Sequence, residues 1–382
     1  MAAAIGIFAF QFFLRQPEMW YQRGMTALAR GDLKTLEGAA RKLHARSPGS
    51  PRANLLMGAH ALRGGDPVRA LELLNAAARD PQTQWPAQFL AGEAFCELHQ
   101  FQMAIRTLQP ALEHSPDNID GHRWLAVACF DIGAVGQAIE HLTRVAELAP
   151  ADPRPQRMMG FIYADAENYK EAVLAYELSL RRSRDYPGIN EVLAELAAAQ
   201  VKLHRYADAQ LTLADAESTP DIDVLRAEAL YGLGRGAESR KIIEALPEND
   251  QDHRALVLRG TLWLDDGQPK LAIRCLRKAV SLRPDEFEAH FKLAQALAEA
   301  GEADQAKVEL AEVERIKAIR YDIADLLEQA PRAPEDADLR FRLGVLCEKL
   351  PRPDLARKWY RAALGLDPKH EPARQALRET AP

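Results

Sequence analysis

The chain has 382 residues, which is more than one ordinary compact hydrophobic core contains. Hydrophobic residues make up 47% of it and charged residues 27%, a composition typical of globular and not of disordered chains. Its 49 basic and 55 acidic residues give a formal net charge of −6, which argues against a broad nucleic-acid-binding surface.

The chain begins with an apolar segment, residues 2–14, whose only polar side chain is Gln11. As a helix it would span only about 20 Å, less than the roughly 30 Å of a bilayer core. Three interpretations stay open: a membrane anchor that lacks a few residues at its start, a cleaved signal, and a hydrophobic lead-in that packs on the first repeat. Arg15, Arg23 and Arg30 follow it and favour the cytoplasmic side for the rest of the chain. We therefore treat residues 1–16 as a candidate anchor, with a cytoplasmic protein as the alternative.

Between residues 51 and 185, small and large apolar residues recur every 34 positions. The three series that keep this step are Ala70, Ala104, Ala138 and Ala172; then Gly58, Gly92, Ala126 and Gly160; and then Leu74, Leu108, Leu142 and Tyr176. A fixed period of this length is typical of an array in which each unit is one supersecondary element stacked on the next. Apolar residues within each unit have helical spacing on either side of a central breaker, which predicts two antiparallel helices per unit.

The periodicity divides the chain into segments. An atypical first unit at 17–50 is expected of a terminal repeat, and four regular units follow up to residue 186. Segment 187–320 holds four more units, after a slip of three residues near Pro187 and with an irregular unit at 220–249. Residues 321–336 are expected to extend a helix to about Gln329 and then form a linker, since two prolines follow. Segment 337–382 holds the last unit and a capping helix.

The later units keep the same small residues at the same spacing. These are Gly260 and Ala272, then Ala306, and then Gly344 and Ala356. A glycine or alanine at such a position lets two helices cross closely, and the large residue of the third series fills the space beside it. A bulky residue there would overpack the crossing.

These units resemble tetratricopeptide repeats, whose pattern is W-x2-L-G-x2-Y…A-x3-F…P. Two units carry the pattern well: 153–186 with Met159-Gly160, Tyr163, Ala172 and Tyr176, and 253–286 with Gly260, Trp263, Ala272, Leu276, Ala279 and Pro284. The resemblance implies an all-α, right-handed superhelical solenoid of about ten helix–turn–helix units.

Catalytic motifs are missing from the sequence. It contains no Gly-rich phosphate loop, HExxH motif or nucleophile elbow. The four cysteines form no CxxC pair and lie in apolar helical patterns, which favours buried, inert thiols. The acidic loop 248–253 lacks the central Gly and terminal Glu of a calcium loop, so a solvated helix N-terminus is the preferred interpretation. We therefore expect no enzyme activity, no cofactor and no metal site.

In the tetratricopeptide family the first helix of each unit lines a concave groove. The corresponding side chains here form a basic and aromatic stripe, the groove stripe: Arg123, Phe130, Arg154, Arg157 and Phe161. Such a stripe could hold an acidic peptide through charge-assisted hydrogen bonds and apolar anchors. The alternative is an ordinary solvated groove lining.

Two subclasses of the family can be compared with the chain. Chaperone-binding members clamp a C-terminal carboxylate with Lys and Asn on successive first helices, and the asparagines are absent here. Another subclass, which acts in bacterial lipopolysaccharide assembly, joins a short anchor and about nine repeats to a zinc ribbon, whose paired cysteines are also absent.

Together these features predict a non-catalytic scaffold that binds a partner protein or peptide in its groove and is tethered to a bacterial membrane. The alternative is a substrate-recognition or regulatory subunit of an enzyme encoded on another chain.

Overall fold

The computed structural model describes residues 17–184, 187–246, 252–333 and 335–380. Every regular element in these ranges is a helix, and none is a strand. The chain divides into two compact units, residues 1–132 and 133–382. The predicted all-α fold is confirmed, and the apolar segment 2–14 lies outside the described residues.

The first unit is a series of helical hairpins. Its helices are α1 (17–30), α2 (Leu33–Arg46), α3 (Pro51–Arg63), α4 (Pro67–Ala77), α5 (Gln84–Glu97), α6 (Phe101–His114) and α7 (Ile119–Asp131). Several begin at a residue whose side chain accepts a hydrogen bond from the backbone N–H three positions later, namely Asp32, Ser50, Asp66 and Asn118. Such N-caps satisfy amides that have no partner within the helix.

The second unit continues the alternation. Its helices are α8 (Val135–Leu148), α9 (Arg154–Asp165), α10 (Tyr169–Arg182), α11 (Ile189–Lys202), α12 (Tyr206–Leu213), α13 (Pro220–Gly232), α14 (Gly236–Ala245), α15 (His253–Asp265), α16 (Pro269–Leu282), α17 (Phe287–Glu299), α18 (Ala303–Gln329), α19 (Ala337–Lys349), α20 (Pro353–Leu366) and α21 (Glu371–Glu379). A 3₁₀ turn, Ala330–Arg332, follows α18. We call the odd-numbered helices from α3 to α19 first helices and their even-numbered partners second helices.

In five repeats a glycine of the first helix packs against a large side chain sixteen residues later, in the second helix. A Cβ atom on Gly92 would lie 2.3 Å from Cγ of Leu108, and one on Gly160 would lie 2.7 Å from the ring of Tyr176. The same contact joins Gly58 to Leu74, Gly260 to Leu276 and Gly344 to Tyr360. Because these distances leave no room for a side chain, the small residues of the pattern set how closely the two helices cross.

Two second helices in the irregular region are short: α12 has 8 residues and α14 has 10, against 14 in α6, α10 and α16. An arginine from the next first helix caps each of them. Arg226 donates to the carbonyls of Leu213 (2.9 Å) and Ala216 (2.8 Å), and Arg259 donates to the carbonyl of Ile243 (2.8 Å). These arginines satisfy carbonyls that the ends of the short helices leave exposed.

The long helix α18 brings distant parts of the second unit together. It has 27 residues and ends at Gln329, the position at which the sequence pattern predicts its end. Near its middle, Arg320 pairs with Glu286 (3.3 Å) and with Glu167 (3.1 Å), which lies 153 residues earlier in the chain. Arg320 therefore joins the turn before α10 to the start of α17.

The cysteines are free thiols. Cys96, Cys129 and Cys347 are buried, whereas Cys275 is only half-buried. Burial raises the pKa of Cys96 and of Cys347 to about 12, so these two thiols stay protonated and unreactive. The prediction of buried thiols therefore holds for three of the four.

Candidate protein-binding surface

Within each compact unit the first helices of successive repeats contact one another. This packing joins α3 to α5 and α5 to α7 in the first unit, and α9 to α11, α11 to α13, α13 to α15 and α15 to α17 in the second. A second helix packs on the first helix of its own repeat, as α4 does on α3 and α10 on α9, and on the first helix of the next repeat, as α4 does on α5 and α10 on α11. The contacting first helices therefore form a continuous surface in each unit, which we call the first-helix face of that unit. In the first unit it carries Arg63, Glu93, Arg123 and Phe130, and in the second unit it carries Arg157, Phe161, Glu195 and Glu228.

In the first unit this face carries Arg123 and Phe130 of the groove stripe, both on α7. Arg123 donates through Nη1 to Oδ1 of Asp120, 3.0 Å away, and Phe130 is partly buried. Two repeats earlier, Arg63 at the end of α3 makes a two-pronged ion pair with the buried carboxylate of Glu93 on α5. The hydrogen bond to Glu93 raises the pKa of Arg63, so the pair stays charged and ties one first helix to the next.

In the second unit, Arg157 on α9 makes the same kind of link to α11. Its Nη2 lies 2.8 Å from Oε1 of Glu195, and its Nε lies 3.2 Å from Oε2. Arg154 is bound to Asp152, two residues before it, through two contacts of 2.8 Å. The side chain of Arg154 remains 69% exposed, so it can still reach a partner.

Phe161 follows Arg157 by one helical turn and is 44% exposed, and Met158 beside it is 40% exposed. An exposed aromatic ring next to an exposed methionine costs solvation free energy unless something covers it. This pair is therefore an apolar patch on α9, bordered by the Arg157–Glu195 ion pair.

Each arginine of the groove stripe has a carboxylate of its own chain within hydrogen-bond distance. The sequence showed the arginines as a basic stripe, whereas the structure shows paired charges. Glu195 was missed because it lies 38 residues from Arg157. Its position is recoverable, since the slip of three residues places it one residue beyond the repeat equivalent of Arg157.

A second charged cluster, which sequence reasoning did not single out, surrounds Glu228 on α13. Burial raises the pKa of Glu228 to about 7; Arg254 and Lys202 oppose the shift, and Glu288 and Asp252 add to it. These five groups belong to α11, α13, α15 and α17 or adjoin them. A carboxyl group that is half ionised near neutral pH can accept or donate a hydrogen bond, so the face changes charge in that range.

No group of three or more His, Cys, Asp or Glu side chains in the described ranges could hold a metal ion. Most of the acidic loop 248–253 lies outside those ranges. His253 is described, and burial is the main cause of its lowered pKa, which favours the neutral imidazole. Among the described helices, none is both long and apolar enough to cross a bilayer.

Comparison with known proteins agrees with the repeat architecture. Sequence models described as "Tetratricopeptide repeat" match residues 97–160, 264–318 and 317–371. Among curated proteins, no sequence matches the chain.

Solved structures with a similar arrangement of helices are only distantly related in sequence. A tetratricopeptide repeat protein from Parabacteroides merdae is 18% identical, with 65% of this chain and 98% of that one covered and a TM-score of 0.45. Pseudomonas aeruginosa pilF is 16% identical, with 60% and 97% covered and a TM-score of 0.45. A MamA protein is 22% identical, with 44% and 92% covered and a TM-score of 0.37.

Proposed function

Since the chain is a tetratricopeptide repeat protein, we propose that it is a scaffold that holds a partner protein or peptide on its first-helix face. Repeats of this family generally bind proteins and are generally non-catalytic. The observation that carries the proposal is the apolar patch of Phe161 and Met158, exposed beside the Arg157–Glu195 ion pair. Such an arrangement offers an apolar anchor within a polar frame, which is the anatomy of a binding hot spot.

The proposed partner segment is acidic and carries at least one apolar side chain. Its carboxylate would compete with Asp152 for Arg154, the most exposed arginine of the groove stripe, while its apolar side chain covers Phe161. The exchange of one carboxylate for another changes the charge balance little, so the apolar contact supplies most of the affinity and the arginines supply selectivity.

The test is capture of partners from native membranes by crosslinking, with variants that separate binding from folding. Simultaneous reversal of Arg123, Arg154 and Arg157 to Glu is expected to reduce the captured partner at least tenfold. The matched control reverses three exposed cations on second helices, Arg69, Lys170 and Lys270, and is expected to change nothing. Equal capture by both variants would show that the three arginines do not support binding, and the proposed binding surface would be wrong.

Because Arg157 also supports the fold through Glu195, a second variant keeps the ion pair while it moves the charges. The exchange Arg157→Glu with Glu195→Arg retains the pair across α9 and α11. We expect it to fold like the parent chain and to lose the partner. Retained binding by this double variant would show that the position of the positive charge is irrelevant.

We further propose that residues 2–14 tether the scaffold to a bacterial membrane. The support for this is their apolar sequence. The test compares the full chain with a chain lacking residues 1–16 in membrane fractions washed at alkaline pH. The full chain is expected in the membrane and the shortened one outside it. Full-length, unprocessed protein found entirely in the soluble fraction would contradict the tether, and a shortened mature N-terminus would indicate a cleaved signal.

The alternative function is that of a recognition or regulatory subunit of an enzyme on another chain. The same capture experiment separates the two. An enzyme present in stoichiometric amount supports the alternative, whereas partners without enzymatic activity support the scaffold.

A further inference from the structure

A cavity of about 370 Å³ lies between α14, α15 and α16 in the second unit. We call it the α14–α16 cavity. Its walls combine isoleucine and leucine side chains with Arg240, Arg259, Arg274, Lys278 and the ring of Trp263. Its volume falls in the range of about 300–1,000 Å³ that small-molecule sites occupy. Two of the three helices that line it are second helices, and none of the residues by which we define the first-helix face lies in its walls.

The sequence explains why a cavity forms at this repeat. Arg259 precedes Gly260, at a position where other repeats have Met57, Ala91, Leu125, Met159 or Leu343. An apolar residue there packs between helices, whereas the Arg259 guanidinium extends to the carbonyl of Ile243 at the end of the short helix α14. A cation thus stands in a wall that is apolar in most other repeats.

The charge of the cavity is positive, although the chain as a whole carries −6. Four cationic side chains and one carboxylate, that of Glu244, line it. Arg240 is compensated, because its Nη2 lies 2.7 Å from Asp266 and its guanidinium stacks over Trp263 at 5.4 Å. Arg259 has a neutral carbonyl as its partner, and Arg274 makes no hydrogen bond or ion pair with any described residue. At least two positive charges therefore remain uncompensated by the described part of the chain.

We propose that the α14–α16 cavity binds a small organic anion, a carboxylate or phosphate attached to an aromatic or aliphatic body. Arg274 and Arg259 receive the anionic group, since guanidinium matches the geometry of both carboxylate and phosphate. Trp263 and the leucines receive the body, because apolar and aromatic surfaces lose solvent-exposed area on contact. This ligand site is separate from the protein-binding surface and does not depend on it.

Cys275 provides a built-in reporter, because it lines the cavity and is the one half-buried thiol of the four. Its reaction with the neutral disulfide 4,4′-dithiodipyridine forms a mixed disulfide and releases 4-thiopyridone, which is followed by its ultraviolet absorbance. A ligand in the cavity is expected to slow this reaction. A Cys275→Ser variant should abolish the fast phase of labelling, since the other three thiols are buried.

The probe is 8-anilinonaphthalene-1-sulfonate, an anion on an aromatic body, followed by its fluorescence and by protection of Cys275. We expect one saturable site on the full chain. Arg274→Glu should weaken binding about tenfold or more, because it places a like charge against the sulfonate. The matched control, Lys270→Glu, reverses an exposed cation on the same helix outside the cavity and should leave the affinity within twofold.

Competition identifies the anionic group. 1-Naphthoate and 1-naphthyl phosphate present the two candidate groups on one body, and the tighter competitor assigns the class of ligand. 1-Naphthalenemethanol carries the body without the charge and is expected to compete at least tenfold less well than either anion. The proposal is wrong if the neutral alcohol competes as well as the anions, if neither anion displaces the probe, or if Arg274→Glu and Lys270→Glu have the same affinity. Unchanged thermal unfolding of both variants confirms that the comparison is made between folded proteins.

Discussion

The helices of the stretch α3–α6 in the first unit and of the stretch α12–α15 in the second unit are held together by different kinds of contact. In α3–α6, glycines pack on leucines, and Leu74 and Leu108 are fully buried. In α12–α15 the second helices are short, and Arg226 and Arg259 complete them through hydrogen bonds to carbonyls. One stretch is closed by apolar packing and the other by charged side chains.

This difference has consequences for stability and function. Apolar packing is insensitive to pH, and a tight crossing leaves no space for a ligand. Charged side chains at a helix junction must be paired or solvated, so they bring pH dependence and cavities with them. Glu228 and two of the three helices that line the α14–α16 cavity belong to the stretch α12–α15.

The largest loss of unfolding free energy is expected when the packing of leucine on glycine is removed. Leu108→Ala removes a fully buried side chain from its contact with Gly92 and should lower the free energy of unfolding by about 2–5 kcal/mol. Urea unfolding measures the loss, and hydrogen exchange of α5 and α6 shows where it acts.

A double-mutant cycle tests whether the glycine and the leucine act as a pair. Gly92→Ala alone should cost about 1–3 kcal/mol, because its new Cβ meets Leu108. In the Leu108→Ala background the same change should cost much less. Strictly additive costs would show that the two residues do not constrain each other.

Removal of an arginine that caps a short second helix is expected to lower the free energy of unfolding somewhat less. Arg226→Met leaves the carbonyls of Leu213 and Ala216 without this donor and Asp223 without its ion pair (2.9 Å). The expected loss of unfolding free energy is about 1.5–3 kcal/mol. Arg235→Met is the control, since the Arg235 side chain is exposed and, among the described residues, is bonded to Glu238 alone; it should change stability by less than about 0.5 kcal/mol. Equal effects would argue against the capping role.

The pH dependence of Glu228 sharpens the comparison further. The pKa of Glu228 in the folded chain is about 7, which is above its value of 4.5 in an unfolded chain. Glu228 therefore contributes fully to the free energy of unfolding at pH below about 4.5, and this contribution is lost as the pH rises to about 7. Glu228→Gln should therefore match the parent at pH 4 and be more stable by about 1–2 kcal/mol at pH 8, with allowance for solvent screening. Unfolding at both pH values tests this, and a constant difference would contradict it.

The smallest effect on the free energy of unfolding is expected at the partly exposed Arg157–Glu195 pair, whose side chains are each 29% exposed. Glu195→Gln should cost about 1 kcal/mol or less, and added salt should reduce the difference. Thermal unfolding at low and high salt measures it. A loss as large as that of Leu108→Ala would mean that the first-helix face, and not the glycine crossings, holds the second unit together.

The sequence by itself determined the helical hairpins, their period and the close crossings. These follow from local spacing: a glycine, its large partner and the prolines and caps that end each helix lie within one unit. The end of α18 at Gln329 was predictable for the same reason.

Tertiary structure alone decided which charges meet. Arg157 pairs with Glu195 in the next first helix of its unit, and Arg320 pairs with Glu167, which is 153 residues away. The pKa of Glu228 depends on its burial and on charged groups that lie on neighbouring helices or at their ends. Such contacts depend on helix lengths and on the slip of three residues, which shift the register between repeats. Local periodicity places the helices, but the electrostatics of a surface depends on distances between side chains that only the packed array sets.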